Sequence, residues 1–189
     1  MPDPYRVIGC AWEAVLVIWV AAGLTNKRTI RRQSIGSRLI QLCLGILAGL
    51  LIWGGGPRGI LSGWPTLPHS PVNGTIALAL TLAGLAFALW ARFVIGRNWS
   101  GTVTLKQDHE LVRSGPYAIV RHPIYTGFLL ALLGIAVARG AIGAFLGVSI
   151  AVLAFRLKSL TEESFMLDQF GSQYAAYKRE VKALIPFVW

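Results

Sequence analysis

Acidic side chains are scarce: 8 Asp and Glu stand against 18 Lys and Arg in 189 residues, and charged residues make up only 14% of the chain. That excludes an ordinary soluble domain, in which roughly a quarter of the residues are charged. Cysteine is rare too. Cys10 and Cys43 both lie within apolar runs, where cysteine acts as a small hydrophobe, so no disulfide framework follows. The three histidines, His69, His109 and His122, have neither the mutual spacing nor the cysteine partners of a zinc site, so no metal is assigned. A secretory signal is missing as well: MPDPYR has no basic start, and the first apolar run has no small-residue cleavage pattern with a soluble domain behind it. That run is expected to stay as a helix.

What the chain has instead is apolar length. Hydrophobic residues make up 54% of it and the mean hydropathy is +0.59, which marks an integral membrane protein. Apolar runs lie at about Ile8 to Leu24, Leu39 to Gly56, Thr75 to Ile95, Ile124 to Ala138 and Ala141 to Phe155. A spanning helix needs about 20 such residues. The expected fold is therefore all-α, with about five transmembrane helices. The last two runs are short and read as a membrane-penetrating helical hairpin, with Arg139 and Arg156 snorkelling outward. The net charge of +10 does not point to nucleic acid once its distribution is read. All the basic residues except Arg6, Arg58 and Arg139 fall in the first loop, in or around the third loop, or in the stretch after the last run. That asymmetry places the N-terminus outside and the C-terminus in the cytoplasm, as in a prokaryotic inner membrane.

Residues 1–95 read as a three-helix scaffold, and residues 96–189 as the part that carries the chemistry, within one structural domain. Gly45 with Gly49, and Gly143 with Gly147, have the small-xxx-small spacing that lets helix backbones approach. Glu13 is an ionisable group within the first run and is placed at the membrane interface. The third loop is long, and TVTLKQDHELV begins with strand-like alternation, so a short extended segment is expected there. In the C-terminal tail Met166, Phe170, Tyr174, Tyr177, Val181 and Leu184 recur at helical intervals. Continuing that row backwards by fours adds Glu162 and Lys158 to the inward face, while Glu163 points about 100° away and reads as solvated. If the fifth run continues unbroken to Phe170, with Gly171 ending it, the helix is about 45 Å long.

The densest polar stretch is LVRSGPYAIVRHPIYTGF, Leu111 to Phe128. Pro123 suits the first turn of a helix, and His122 before it is biased to an extended conformation. Arg121 and His122 therefore sit at a helix mouth, where free N–H groups and the dipole favour an anion. An interfacial anchor of Arg and Tyr would use the same residues. GPY marks a turn.

Taken together, HELVRSGPYAIVRHPIYTG and, after a hydrophobic hairpin, EESFMLDQFGSQYAAYKREVKALIPF closely resemble the isoprenylcysteine carboxyl methyltransferase family, to which membrane phospholipid methyltransferases are related. The resemblance covers about 80 residues, Lys106 to Phe187. It implies a multispan enzyme using S-adenosylmethionine, bound in a cytoplasmic pocket under the long loop and the C-terminal helix. By the same resemblance His109, Glu110, Leu111 and Val112 contact the adenine end, and Tyr117, His122, Pro123, Ile124 and Tyr125 complete the site. Glu162 binds the cofactor, and Lys158 stands where the family has an arginine for the acceptor's carboxylate. Lys158 and Glu162 are the catalytic candidates, with Arg121 and Lys158 as candidates for holding the acceptor.

Physical chemistry supports the same assignment. A sulfonium cofactor with an ammonium and a carboxylate calls for a carboxylate, a base or helix N-terminus, and aromatic walls. Glu162, the Pro123 mouth, and Tyr117 with Tyr125 are of those types. A carboxylate acceptor, the family default, is already ionised at neutral pH and needs no general base. Methylation of a phospholipid amine would need one, such as His122 or Glu163. A sterol-type membrane reductase and a non-enzymatic scaffold are the rivals of other classes.

Overall fold

The computed structural model describes residues 3–23, 29–54, 67–96, 99, 104–106 and 111–186. The expected all-α bundle is there, with five apolar helices. They are α1 (Pro4–Gly23), α2 (Ile35–Gly54), α3 (Pro71–Ile95), α4 (Pro123–Arg139) and α5 (Ile142–Phe170), followed by the short polar α6 (Ser172–Glu180). Four of the five are long and apolar enough to cross a membrane, and α4, with 17 residues, is shorter. Two short strands, β1 (Thr29–Arg32) and β2 (Thr104–Lys106), pair antiparallel, with Thr29 opposite Lys106 and Arg32 opposite Thr104. The extended segment expected in the third loop thus exists, and it ties that loop to the basic first loop.

Local sequence sets the helix ends. Ser70 caps α3 by accepting from the Asn73 N–H, with Pro71 in the first turn. Pro123 opens α4, and Gly140, at φ 62°, closes it in the left-handed region. Only Gly140 and Ala141 then separate α4 from α5, which gives the expected hairpin. Helix α5 runs on unbroken to Phe170, a length of about 43 Å at 1.5 Å per residue. It stops at Gly171, whose φ is 48°.

The helices pack in the order α1, α3, α4, α5, α2, so the first two helices in sequence lie on opposite sides of the bundle. Glycine makes the α3–α4 seam close. A Cβ added at Gly84 would lie 2.5 Å from the Gly127 carbonyl oxygen, and one at Gly127 would lie 2.6 Å from the Gly84 carbonyl oxygen. Helix carbonyls left without partners at the chain's turns are met by arginine. Arg92 donates to the carbonyls of Ala22 and Gly96, both at 2.7 Å. At the opposite end Arg139 donates to the Trp53 carbonyl at 2.7 Å.

Three expectations change. The helical row through the tail is interrupted: past Glu180 the chain is no longer helical, and the Val120 to Lys182 segments form a parallel bridge. The N–H groups of Arg121 and His122 donate to the carbonyls of Lys182 and Ala183 at 2.8 and 3.0 Å. The tail therefore folds back as a strap beside the mouth of α4. Glu13 is the tenth of the 20 residues of α1 and is exposed there, because α1 starts as early as Pro4 and not at the first strongly apolar residue. Of the predicted glycine pairs, Gly147 does approach α2, with an added Cβ 2.8 Å from the Ala48 carbonyl oxygen, but Gly45 and Gly49 face open space.

Candidate active site

The polar residues singled out in the sequence converge where α4 begins and α5 leaves the apolar bundle. His122, just before α4, is 9% exposed and lies between two carboxylates of α5. Its Nδ1 is 3.4 Å from Glu162 Oε2 and its Nε2 is 3.3 Å from Glu163 Oε1. Burial pulls the His122 pKa down, but the hydrogen bonds to Glu162 and Glu163 and their charges outweigh it, so the pKa lies above its usual value. The protonated ring, with both nitrogens donating, is the form this setting favours.

The two carboxylates have different surroundings. Glu163 is 2% exposed and accepts from Arg121 Nε at 3.1 Å and Nη2 at 2.6 Å, with Lys178 Nζ 2.8 Å from its other oxygen. Arg121 also donates to the carbonyls of Lys178 and Val181, joining α5, the α4 mouth and the returning tail through one guanidinium. Glu162 is more open, with 22% of its side chain exposed, and accepts from the Tyr125 hydroxyl as well as His122. So Glu163 is committed to structure and Glu162 borders the solvent-accessible side. Periodicity placed Glu163 on a solvated face because it could not show that α6 returns over that face with Lys178.

Aromatic rings continue from this cluster towards the bundle. His122 stacks on Tyr125 at 5.5 Å and 5°, and Tyr125 stacks on Phe155 at 4.8 Å and 17°. Lys158 Nζ lies 5.2 Å from the Tyr125 ring centroid, within cation–π range. Phe155 and Lys158 in turn line a cavity of about 490 Å3 between α2 and α5, floored in part by Leu132 of α4. The volume is within the range of roughly 300–1,000 Å3 usual for small-molecule sites.

The remaining predicted residues fall into four groups. Pro123 and Ile124 are buried in the first turn of α4, and Ile124 shares a core cluster with Tyr117, Tyr125 and Leu184. Tyr117 lies in a short 3-10 turn, Gly115–Ala118, and its hydroxyl donates to the Ala91 carbonyl at 3.4 Å while its own carbonyl accepts from Tyr177 at 2.5 Å. Leu111 and Val112 are half-buried, with Val112 packed on the same cluster. His109 and Glu110 lie outside the described residues. The α4 mouth is not an open anion site: the Thr126 hydroxyl donates to the Leu184 carbonyl at 2.7 Å, and Arg121 is turned to Glu163 and the tail. The acceptor-holding role predicted for Arg121 therefore rests less well on its position than that of Lys158.

Residues 77–169 match the isoprenylcysteine carboxyl methyltransferase (ICMT) family. The chain is 33% identical over 117 residues to the protein-S-isoprenylcysteine O-methyltransferase of Schizosaccharomyces pombe, covering 60% of this chain and 50% of the relative. It is 31% identical over 130 residues to the enzyme of that name from Homo sapiens, covering 66% and 45%. It is also 33% identical over 128 residues to the cobalt-zinc-cadmium resistance protein CzcN of Cupriavidus metallidurans, covering 62% and 55%. The chain spans about half the length of these curated relatives.

Proposed function

We propose, from the match of residues 77–169 to the isoprenylcysteine carboxyl methyltransferase family, that this integral membrane protein transfers a methyl group from S-adenosylmethionine to a lipophilic, prenylcysteine-like carboxylate. The observation that carries the reading is the junction at Tyr125: His122, paired with Glu162, stacks on Tyr125, and Tyr125 stacks on Phe155 of the groove wall. A charged reagent and an apolar acceptor can meet there.

When bound, S-adenosylmethionine supplies a methyl on a sulfonium, which an oxygen nucleophile takes as the C–S electron pair returns to sulfur. The chain's own residues fit such a cofactor. Glu162 offers a carboxylate on the open side of the cluster, and Tyr125 with Phe155 offers aromatic faces to a cation. Tyr125 and His122 hold the Glu162 carboxylate in one orientation, which is the positioning that a displacement reaction needs. Lys158 places positive charge between the rings and the groove, where an acceptor carboxylate would be drawn in.

The same geometry argues for a carboxylate over an amine. An amine acceptor needs a base, yet His122 is held towards its protonated form and Glu163 is paired with Arg121 and Lys178. A carboxylate needs none. The distribution of basic residues supports an N-terminus outside the membrane and a site on the cytoplasmic side. Residues 96–189 would carry the chemistry, with α2 of the scaffold lending a wall to the acceptor groove. The test is transfer of a labelled methyl from S-adenosylmethionine to a prenylated cysteine in detergent. Label in a base-labile ester is the expected result, and label only on phosphatidylethanolamine would favour the amine reading.

A further inference from the structure

We infer that the start of α2, through Arg38, recognises the anionic head of the acceptor, supplying the forked contact that Lys158 lacks. The inference rests on the methyltransferase reading and names a specificity-determining residue for it.

The groove is graded. At the end nearest β1 it is lined by Gln33, Arg38, Gln41 and Lys158, and towards the other end by Gly45, Gly49 and Ile52. That gradient matches an anionic head followed by an apolar chain. Space for the chain comes from the glycines: an added Cβ at Gly45 meets nothing within 4 Å, and one at Gly49 meets only the Trp53 ring, at 4.0 Å. At the polar end a lysine alone is a point charge, whereas a guanidinium matches a carboxylate with two parallel bonds. Arg38 is half-buried and lines the same cavity as Lys158.

Gln33 and Gln41 brace that end of the groove. Gln33 is 7% exposed, its Nε2 donates to Gln41 Oε1 at 3.0 Å, and Gln41 Nε2 donates on to the Ser37 hydroxyl at 3.3 Å.

Calorimetric titration of the protein in detergent tests this with two probes: a prenylated N-acetylcysteine and its methyl ester. Wild type should bind the acid about tenfold more tightly than the ester, as a lost charge-assisted contact implies. Arg38→Gln should abolish most of that preference, and adding Lys158→Arg should restore part of it. An unchanged acid-to-ester ratio in Arg38→Gln, or equal binding of both probes by wild type, would overturn the inference. Arg38→Lys serves as the milder variant if the first fails to fold. S-adenosylhomocysteine titrated alongside separates the two claims: its failure to bind wild type would remove the methyltransferase reading, while the acid-to-ester ratio would still judge Arg38.

Discussion

Two seams of the bundle use the same residue to opposite ends. Between α3 and α4, Gly84 and Gly127 let two backbones touch, so that even one Cβ would collide with a carbonyl. Between α2 and α5, Gly147 makes one such contact, but Gly45 and Gly49 beside it face open space and line a cavity. Glycine four residues apart therefore does not by itself mean close packing. Whether the missing side chain leaves a contact or a cavity depends on the partner helix. The closed seam leads to the buried ionic cluster under the tail, and the open one borders the aromatic edge of that cluster at Phe155.

The largest effect is expected on the closed side. Glu163→Gln leaves Arg121 buried without its counter-charge, and loss of one partner of a buried pair costs about 3–5 kcal/mol. Thermal unfolding in detergent should show a large fall in Tm. An unchanged Tm would mean that the cluster does not hold the tail against α4. Next, Gly127→Val should destabilise by about 1–3 kcal/mol through overpacking against Gly84 and Ala88. On the open seam Gly45→Leu should leave stability within about 0.5 kcal/mol, as a substitution into empty space does, while reducing binding of the long-chain acceptor. Equal unfolding temperatures for these two variants would erase the distinction between the seams.

Smaller changes are expected at the point where the two sides meet. Tyr125→Phe keeps the stack on Phe155 but removes the hydroxyl from Glu162, and should weaken cofactor binding by about 1 kcal/mol, the worth of one hydrogen bond. The smallest signal is a pH slope. Because the folded pKa of His122 lies above its usual value, its contribution to stability is complete below about pH 6.5 and is lost as pH rises through the folded pKa. Tm measured upward from pH 6 should therefore fall more steeply in wild type than in His122→Asn. Parallel slopes would contradict a protonated His122 in the folded protein.

Much of this was legible in the sequence because it follows from local rules. Apolar run length gave the five helices, Pro123 gave the start of α4, and Gly171 gave the end of α5. The row of fours through Lys158, Glu162, Met166 and Phe170 is only half-buried, and the fully buried positions lie one residue on, at Ser159 and Glu163. Beyond Gly171, periodicity failed because the chain reverses: Tyr174 and Tyr177 are buried by α6 packing back, and Leu184 by an extended strap. Glu163 was misplaced for the same reason, since its partners Arg121 and Lys178 are brought together only by that reversal. Nor could the sequence show that α2 lies against α5 and away from α1, which is what puts Arg38 and Gln33 beside Lys158.

The central claim is that the open carboxylate of the cluster holds a sulfonium cofactor. It is tested most directly by calorimetric titration of S-adenosylmethionine and S-adenosylhomocysteine into wild type and Glu162→Gln, with Tm as the control for folding. Saturable binding to wild type, weakened about tenfold or more in Glu162→Gln at equal Tm, is the predicted result, as expected for the loss of a charge-assisted contact. Absence of binding to folded wild type, or equal binding to both proteins, would contradict it.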